Sequence, residues 1–178
     1  MFDTFKETLA RYKFKWNVLQ ATMVATRVVI SGSTALAVLL GGEFVPQDLD
    51  IYVNAKGFPA MLEFLLNHGY QVVRPQPCYA HKNKYADSKN ILTLKRDSEG
   101  EKIDLIRTTE VIVLATIPQF HSMAVMNYIA SYGIVCLYPE WTMQRNGLVT
   151  RGNVLYTILN KYQGHRFKMA YTSTELAK

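Results

Sequence analysis

The sequence predicts an α+β (α/β) fold in which helices flank a central mixed β-sheet. Three observations predict it. Apolar residues recur at alternating steps of three and four in some segments, the period of an amphipathic helix. Elsewhere, short β-branched runs are bounded by Gly, Pro or polar clusters, the mark of buried strands. The two kinds of segment alternate along the chain, with no internal repeat, no low-complexity stretch and no long linker between them.

The elements follow in order. Phe5, Leu9, Tyr12, Trp16, Leu19 and Met23 form one helical stripe, and Thr4 with Glu7 fits a capping box at its start. Arg27-Val28-Val29-Ile30 reads as a buried strand that ends in the turn Ser31-Gly32-Ser33. A second helix from Thr34 to about Leu40 is closed by Gly41-Gly42. After Pro46 comes a strand over Leu49 to Val53, then a helix over Phe58 to Asn67 with Pro59 in its first turn and Gly69 past its end. Gln71 to Arg74 is a short strand, and the Pro75-Gln76-Pro77 break opens a Lys-rich surface loop through Lys89. Asn90 to Lys95 and Lys102 to Arg107 form a hairpin over Asp97-Ser98-Glu99-Gly100. A helix around Phe120 to Ala130, an apolar run over Gly133 to Tyr138, a helix from about Asn153 to Tyr162 and a loose tail from Tyr171 complete the chain.

The chain has 178 residues, 49% of them hydrophobic, which suits one well-buried domain and is short for two. We therefore expect a single domain over 1–178, with its motif-bearing region at 27–107 and a C-terminal helical lobe at about 115–170. Cys78 and Cys136 lie far apart and form no C-x-x-C pair, so neither a disulfide framework nor a zinc knuckle is expected. The N-terminus carries Asp3 and Glu7 without an apolar core of signal-peptide length, and no apolar run is long enough to span a bilayer. These features predict a cytoplasmic protein.

The net charge of +6 is unevenly spread. Residues 31–70 hold Lys56 against Glu43, Asp48, Asp50 and Glu63, and basic stretches lie on either side. Cationic flanks around an acidic centre suit a polyanionic substrate, although an excess of lysines also simply keeps a small domain in solution.

The acids carry the chemistry. In Gln47-Asp48-Leu49-Asp50-Ile51, side chains on a strand alternate faces, so Asp48 and Asp50 share one side while Leu49 points inward. Asp104, between Ile103 and Leu105, is a third acid on a strand. Carboxylates brought together repel, and burial without a counter-ion would force proton uptake. A divalent cation removes that penalty, and magnesium takes oxygen ligands of this kind together with substrate phosphates. Upstream, Gly32 lets the backbone approach phosphate oxygens, and Ser33 stands at a helix N-terminus, whose free N–H groups favour an anion.

Ile30-Ser31-Gly32-Ser33, Asp48-Leu49-Asp50-Ile51 and Ile103-Asp104-Leu105, in that order, resemble the nucleotidyltransferase superfamily typified by DNA polymerase beta. Its pattern is a glycine followed by glycine or serine, an acid–hydrophobe–acid pair, and a later acid on a strand. The resemblance covers roughly residues 27–107 and is closest to the minimal single-domain members. Fourteen residues separate Ser33 from Asp48, at the long end of the usual spacing, with Gly41-Gly42-Glu43-Phe44 extending the loop.

The resemblance implies that Gly32 and Ser33 contact a nucleoside triphosphate and that Asp48, Asp50 and Asp104 are catalytic and hold Mg2+ or Mn2+. The implied reaction moves a nucleoside monophosphate from an NTP such as ATP to a hydroxyl on RNA or tRNA, a protein or a small molecule, with release of pyrophosphate. Two rivals stand beside it. An Asp-x-Asp glycosyltransferase would hold a nucleotide sugar but leaves Gly32, Ser33 and Asp104 without a role. A catalytically inactive member would serve as a binding module for nucleic acid or protein.

Other candidates carry bland alternatives. His121 fits a base or phosphate contact, or a packing residue. Met123, Met126, Tyr128 and Ile129 are most simply core. Lys82, Lys84, Lys89, Lys95 and Arg96, with Tyr79 and Tyr85, offer charge and stacking faces for RNA or form a solvated loop. Arg145, Arg151 and Lys161 are candidates for triphosphate contacts or ordinary surface cations.

Overall fold

A computed structural model of the chain describes residues 2–73, 91–97, 100–150 and 156–176. Its centre is a seven-stranded sheet in the order β3-β4-β5-β2-β1-β6-β7. The strands are β1 (Val29–Ser31), β2 (Asp48–Val53), β3 (Gln71–Val72), β4 (Ile91–Lys95), β5 (Lys102–Arg107), β6 (Asn127–Ala130) and β7 (Gly133–Cys136). Neighbours pair antiparallel except β2 and β5, which run parallel. The sheet is therefore mixed, as the sequence predicts.

Helices α1 (Phe2–Arg11), α2 (Trp16–Thr26) and α4 (Phe58–Asn67) cover one face. There Leu49, Ile51 and Val53 of β2 and Ile103 and Leu105 of β5 pack in one cluster with Leu9, Leu19, Met23, Met61 and Leu65. On the other side, α3 (Gly32–Leu39) contributes Leu36 to a second cluster with Ile117, Phe120, Met126, Tyr128, Tyr162 and Phe167. The same strands thus bury their odd-numbered β2 positions in the first cluster and turn Asp48, Asp50 and Tyr52 away from it.

The N-terminal stripe is broken rather than continuous. Lys13 adopts a left-handed φ of +58°, and the N–H groups of Tyr12, Lys13 and Phe14 return to the carbonyls of Leu9, Ala10 and Leu9, ending α1. The break serves Phe14, which an unbroken helix would place away from the stripe. Here Phe14 is buried and packs against Phe64, His68 and Tyr70. Thr4 lies inside α1 and accepts at its carbonyl from the Thr8 hydroxyl, so the expected capping box is not formed.

Residues 120–130 form no α-helix. Met123–Val125 is one 3-10 turn, and Asn127–Ala130 is the buried strand β6, filling the edge of β1 through Ile30 opposite Ile129. A short apolar run has no periodicity that separates a buried strand from a helix, and the open edge of β1 decides between them. The expected helical lobe therefore gives two of its segments to the central sheet. It also contains α5 (Pro139–Met143), α6 (Tyr156–Gly164), α7 (Ser173–Leu176) and a two-stranded parallel sheet of β8 (Asn146–Leu148) and β9 (Lys168–Ala170). The tail expected to be loose is held by Glu175, which accepts from the Tyr171 N–H and the Thr172 hydroxyl.

The strand from Val29, the helix closed by Gly41 and Gly42, the Asp48 strand and the Phe58–Asn67 helix match the sequence reading to within two residues. Gly41 and Gly42 have φ of +74° and +83°, and the Gly42 N–H returns to the Ala37 carbonyl at 2.8 Å. The Lys-rich loop around Tyr79, Lys82, Lys84, Tyr85 and Lys89, along with Cys78 and Arg151, falls outside the described residues.

Ile51 is 0% exposed at the centre of the sheet. Ile51→Ala is expected to lower unfolding stability by about 2–5 kcal/mol through lost burial and a residual cavity, measured by urea titration. A loss below about 1 kcal/mol would show that this face is loosely packed.

Candidate active site

The parallel pairing of β2 and β5 sets the site. Its register places Asp50 opposite Asp104 and Asp48 opposite Lys102, while the antiparallel pairing with β1 places Ser31 opposite Asp50. Period-two alternation then puts all these side chains on the face turned away from the α1–α2–α4 layer. Asp48, Asp50 and Asp104 each offer one oxygen, all within 4.8 Å of one another. The three acids singled out in sequence converge on one spot.

The turn at Gly32 and Ser33 lies against them. Gly32 has φ of +68°, and a Cβ there would run into Asp50 Oδ2. Its absence lets the chain pass from β1 into α3 directly beside the carboxylate. The Ser33 hydroxyl faces Asp48 Oδ1 at 3.4 Å, and the Thr34 hydroxyl donates to the Asp48 carbonyl at 2.8 Å. Ser31 does not cap α3 with its side chain; its hydroxyl donates to the Asn127 carbonyl.

Two partners of the acids went unremarked in the sequence. Thr93 of β4 donates to Asp104 Oδ1 at 2.7 Å. The Lys102 ammonium pairs with Asp104 Oδ2 at 2.9 Å and Asp48 Oδ2 at 3.4 Å. Burial works against the Lys102 charge, but the hydrogen bond and charge of Asp104, then Asp48, outweigh it and raise its pKa. A lysine two residues before a strand acid shares its face, so the sequence held that signal.

Burial, followed by repulsion from Asp48 and Asp104, pushes the Asp50 carboxyl up to about 8, with Lys102 and Lys161 pulling the other way. Carboxyls so close that one keeps its proton are an oxygen set on which a hard divalent cation would take the proton's place. On the same side, the hydroxyls of Tyr52 and Tyr162 are raised, first by burial and then by Asp50.

The remaining candidates divide. His121 is half-buried, its Nε2 is shut off from solvent without a partner among the described residues, and burial followed by the Lys161 charge lowers it to about 4. Arg145 is not a free cation: it pairs with Glu43 at 2.5 Å, donates to the His165 carbonyl at 3.1 Å and lies over the Phe167 ring. Phe44 stacks on His165 with ring centroids 3.9 Å apart. Gly41-Gly42-Glu43-Phe44, which lengthens the spacing before Asp48, therefore fastens the first half of the chain to the second. Lys95 ends β4, and Arg96 follows it beside Gly69.

Comparisons with known proteins give two answers. A model of the family described as aminotransferase class I and II matches residues 1–118 of the 178, and by that sequence criterion the chain belongs to the family. No curated protein matches the sequence. Among solved structures, a CCA-adding enzyme in apo form I is similar with a TM-score of 0.61 and 16% identity over 90% of this chain. The Thermotoga maritima CCA-adding enzyme complexed with tRNA is similar with a TM-score of 0.58 and 12% identity over 90% of this chain. This chain covers 40% of each of those structures. Its fold is nucleotidyltransferase-like.

The fold and the sequence match point in different directions. Aminotransfer uses pyridoxal phosphate held as a Schiff base on a lysine, which must present a neutral amine. Lys102, the lysine among these carboxylates, is held in its charged form. Lys102 therefore does not supply the neutral amine that pyridoxal phosphate needs.

Two outcomes are expected. Because the folded Asp50 pKa lies above that of the unfolded chain, the metal-free fold keeps a proton that the unfolded chain sheds, so stability falls as pH rises from about 4 to 8. Thermal unfolding of the metal-free chain at stepped pH should show that slope, and Asp50→Asn should flatten it; equal slopes would refute the Asp50 assignment. Gly32→Ala should cost more than about 1 kcal/mol in urea unfolding, because φ is positive and Asp50 stands in the way.

Proposed function

We propose that the chain is a metal-dependent nucleotidyltransferase that moves a nucleoside monophosphate from an NTP to a hydroxyl acceptor and releases pyrophosphate. The observation that carries this reading is the convergence of Asp48, Asp50 and Asp104 within 4.8 Å beside the Gly32–Ser33 turn. Residues 1–178 are read as one domain working in the cytoplasm. Among the described residues no helix is long and apolar enough to cross a membrane.

The roles follow from position. Asp48, Asp50 and Asp104 would hold Mg2+ or Mn2+, which when bound neutralises phosphate charge and lowers the pKa of a hydroxyl nucleophile. Gly32 leaves the backbone open to a triphosphate, Ser33 offers a hydroxyl, and the N-terminal N–H groups of α3 face the same anion. Thr34 fixes the Asp48 backbone and Thr93 orients Asp104. Lys161, whose charge reaches Asp50, adds positive potential from α6.

RNA is the acceptor we favour. Arg11 donates to the Pro46 carbonyl and pairs with Glu101, beside the starts of β2 and β5. There it lines a cavity of about 610 Å3 with Lys13 and Arg96, a surface with a one-charge cationic excess over Asp97 and Glu101 for a phosphate backbone. The similarity to a CCA-adding enzyme complexed with tRNA supports the same acceptor class. The Lys102 ion pairs favour a second reading, a binding module that keeps its carboxylates neutralised without turnover.

Incubation with each α-labelled NTP, Mg2+ or Mn2+, and pools of cellular RNA and protein should label RNA. Asp48→Ala should abolish the labelling while circular dichroism and the melting temperature stay near wild type. Labelling that survives Asp48→Ala would remove the carboxylates from the mechanism; RNA binding without turnover of any NTP would establish the second reading.

A further inference from the structure

We infer that Lys102 stands in for one of the two cations that a triad of this kind can carry, so that the site takes a single divalent ion, held chiefly by Asp48 and Asp50. The inference rests on the nucleotidyltransferase reading and specifies its metal content. Lys102 and Asp104 occupy alternate positions on β5 and share a face, and the register sets Lys102 opposite Asp48. The ammonium lies 2.9 Å from Asp104 Oδ2 and 3.4 Å from Asp48 Oδ2, a positive charge already between those two carboxylates.

Both oxygens of Asp104 are already engaged, which leaves it the weakest of the three acids as a ligand to a second ion. Its Oδ2 is taken by Lys102 and its Oδ1 accepts from the Thr93 hydroxyl at 2.7 Å. Asp50, in contrast, accepts no hydrogen bond or ion pair among the described residues, and Asp48 Oδ1 has only the long Ser33 contact at 3.4 Å. The free lone pairs therefore lie on Asp48 and Asp50, on the side of the Gly32 turn.

Charge points the same way. One divalent ion added to three carboxylates and one ammonium leaves the cluster neutral before nucleotide arrives; two would leave it positive and press against Lys102. Ile103, 0% exposed in the core, fixes the Lys102 backbone, and the two ion pairs direct its ammonium. Lysine suits the task as a compact point charge with three donors.

Titration of Mn2+ alone into the full chain, with bound ion counted by loss of the free-ion EPR signal, tests the inference. Wild type should bind one Mn2+, and Asp50→Asn should lose it. Lys102→Met should gain a second ion at least about tenfold tighter than any second ion on wild type, because the competing charge is gone. Lys102→Arg, which keeps the charge, should stay at one. If Lys102→Met fails to fold by circular dichroism, Lys102→Gln makes the same comparison. Equal stoichiometry in wild type and the neutral variant, whether one ion or two, overturns the inference and leaves the nucleotidyltransferase reading standing. No Mn2+ bound by either protein overturns both.

Discussion

The parallel, in-register pairing of β2 with β5 is the constraint on which the site depends. It sets Asp50 across from Asp104 and Asp48 across from Lys102, and the pleat then aims all four side chains at one region. A slip of one residue would send Asp104 into the hydrophobic layer and bring Ile103 to the carboxylates. The alternation of Leu49, Ile51 and Val53 with Ile103 and Leu105, all 0% exposed, makes such a slip costly. The core that stabilises the sheet is thus also what assembles the acids.

Clustered acids need compensation, and the protein provides it in layers. Thr93 and Lys102 engage Asp104, Lys102 also reaches Asp48, and Asp50 is left to hold a proton or meet a cation. The second half of the chain closes the other side. The charge of Lys161 acts on Asp50, and Asp50 in turn adds to the burial that raises the Tyr52 and Tyr162 hydroxyls, while Glu43–Arg145 and Phe44–His165 tie the loop before β2 to that half. The long spacing between Ser33 and Asp48 therefore has a structural use.

The aminotransferase match and the nucleotidyltransferase-like fold show why the site must decide chemistry. A sequence match over 1–118 includes the strands that bear the acids, yet a lysine held charged between carboxylates cannot serve as a neutral amine. Similarity over 90% of the chain at 16% and 12% identity shows the fold alone, and function is argued from the site.

Local chemistry alone determined the strand acids, the Gly32 turn, the Gly41-Gly42 stop and the Phe58–Asn67 helix, because alternation, positive φ and helix capping are properties of neighbouring residues. Tertiary contacts decided the rest. Phe14 broke the N-terminal helix by finding Phe64 and Tyr70, and residues 127–130 became a strand because β1 had an edge to fill. Arg145 was claimed by Glu43, which lies about a hundred residues away in the sequence. Lys102 sits between the two: its face was readable from the strand period, but its pairing with Asp48 came into being only when β2 and β5 met. Such contacts join distant parts of the chain, and local pattern carries no information about which distant part will arrive.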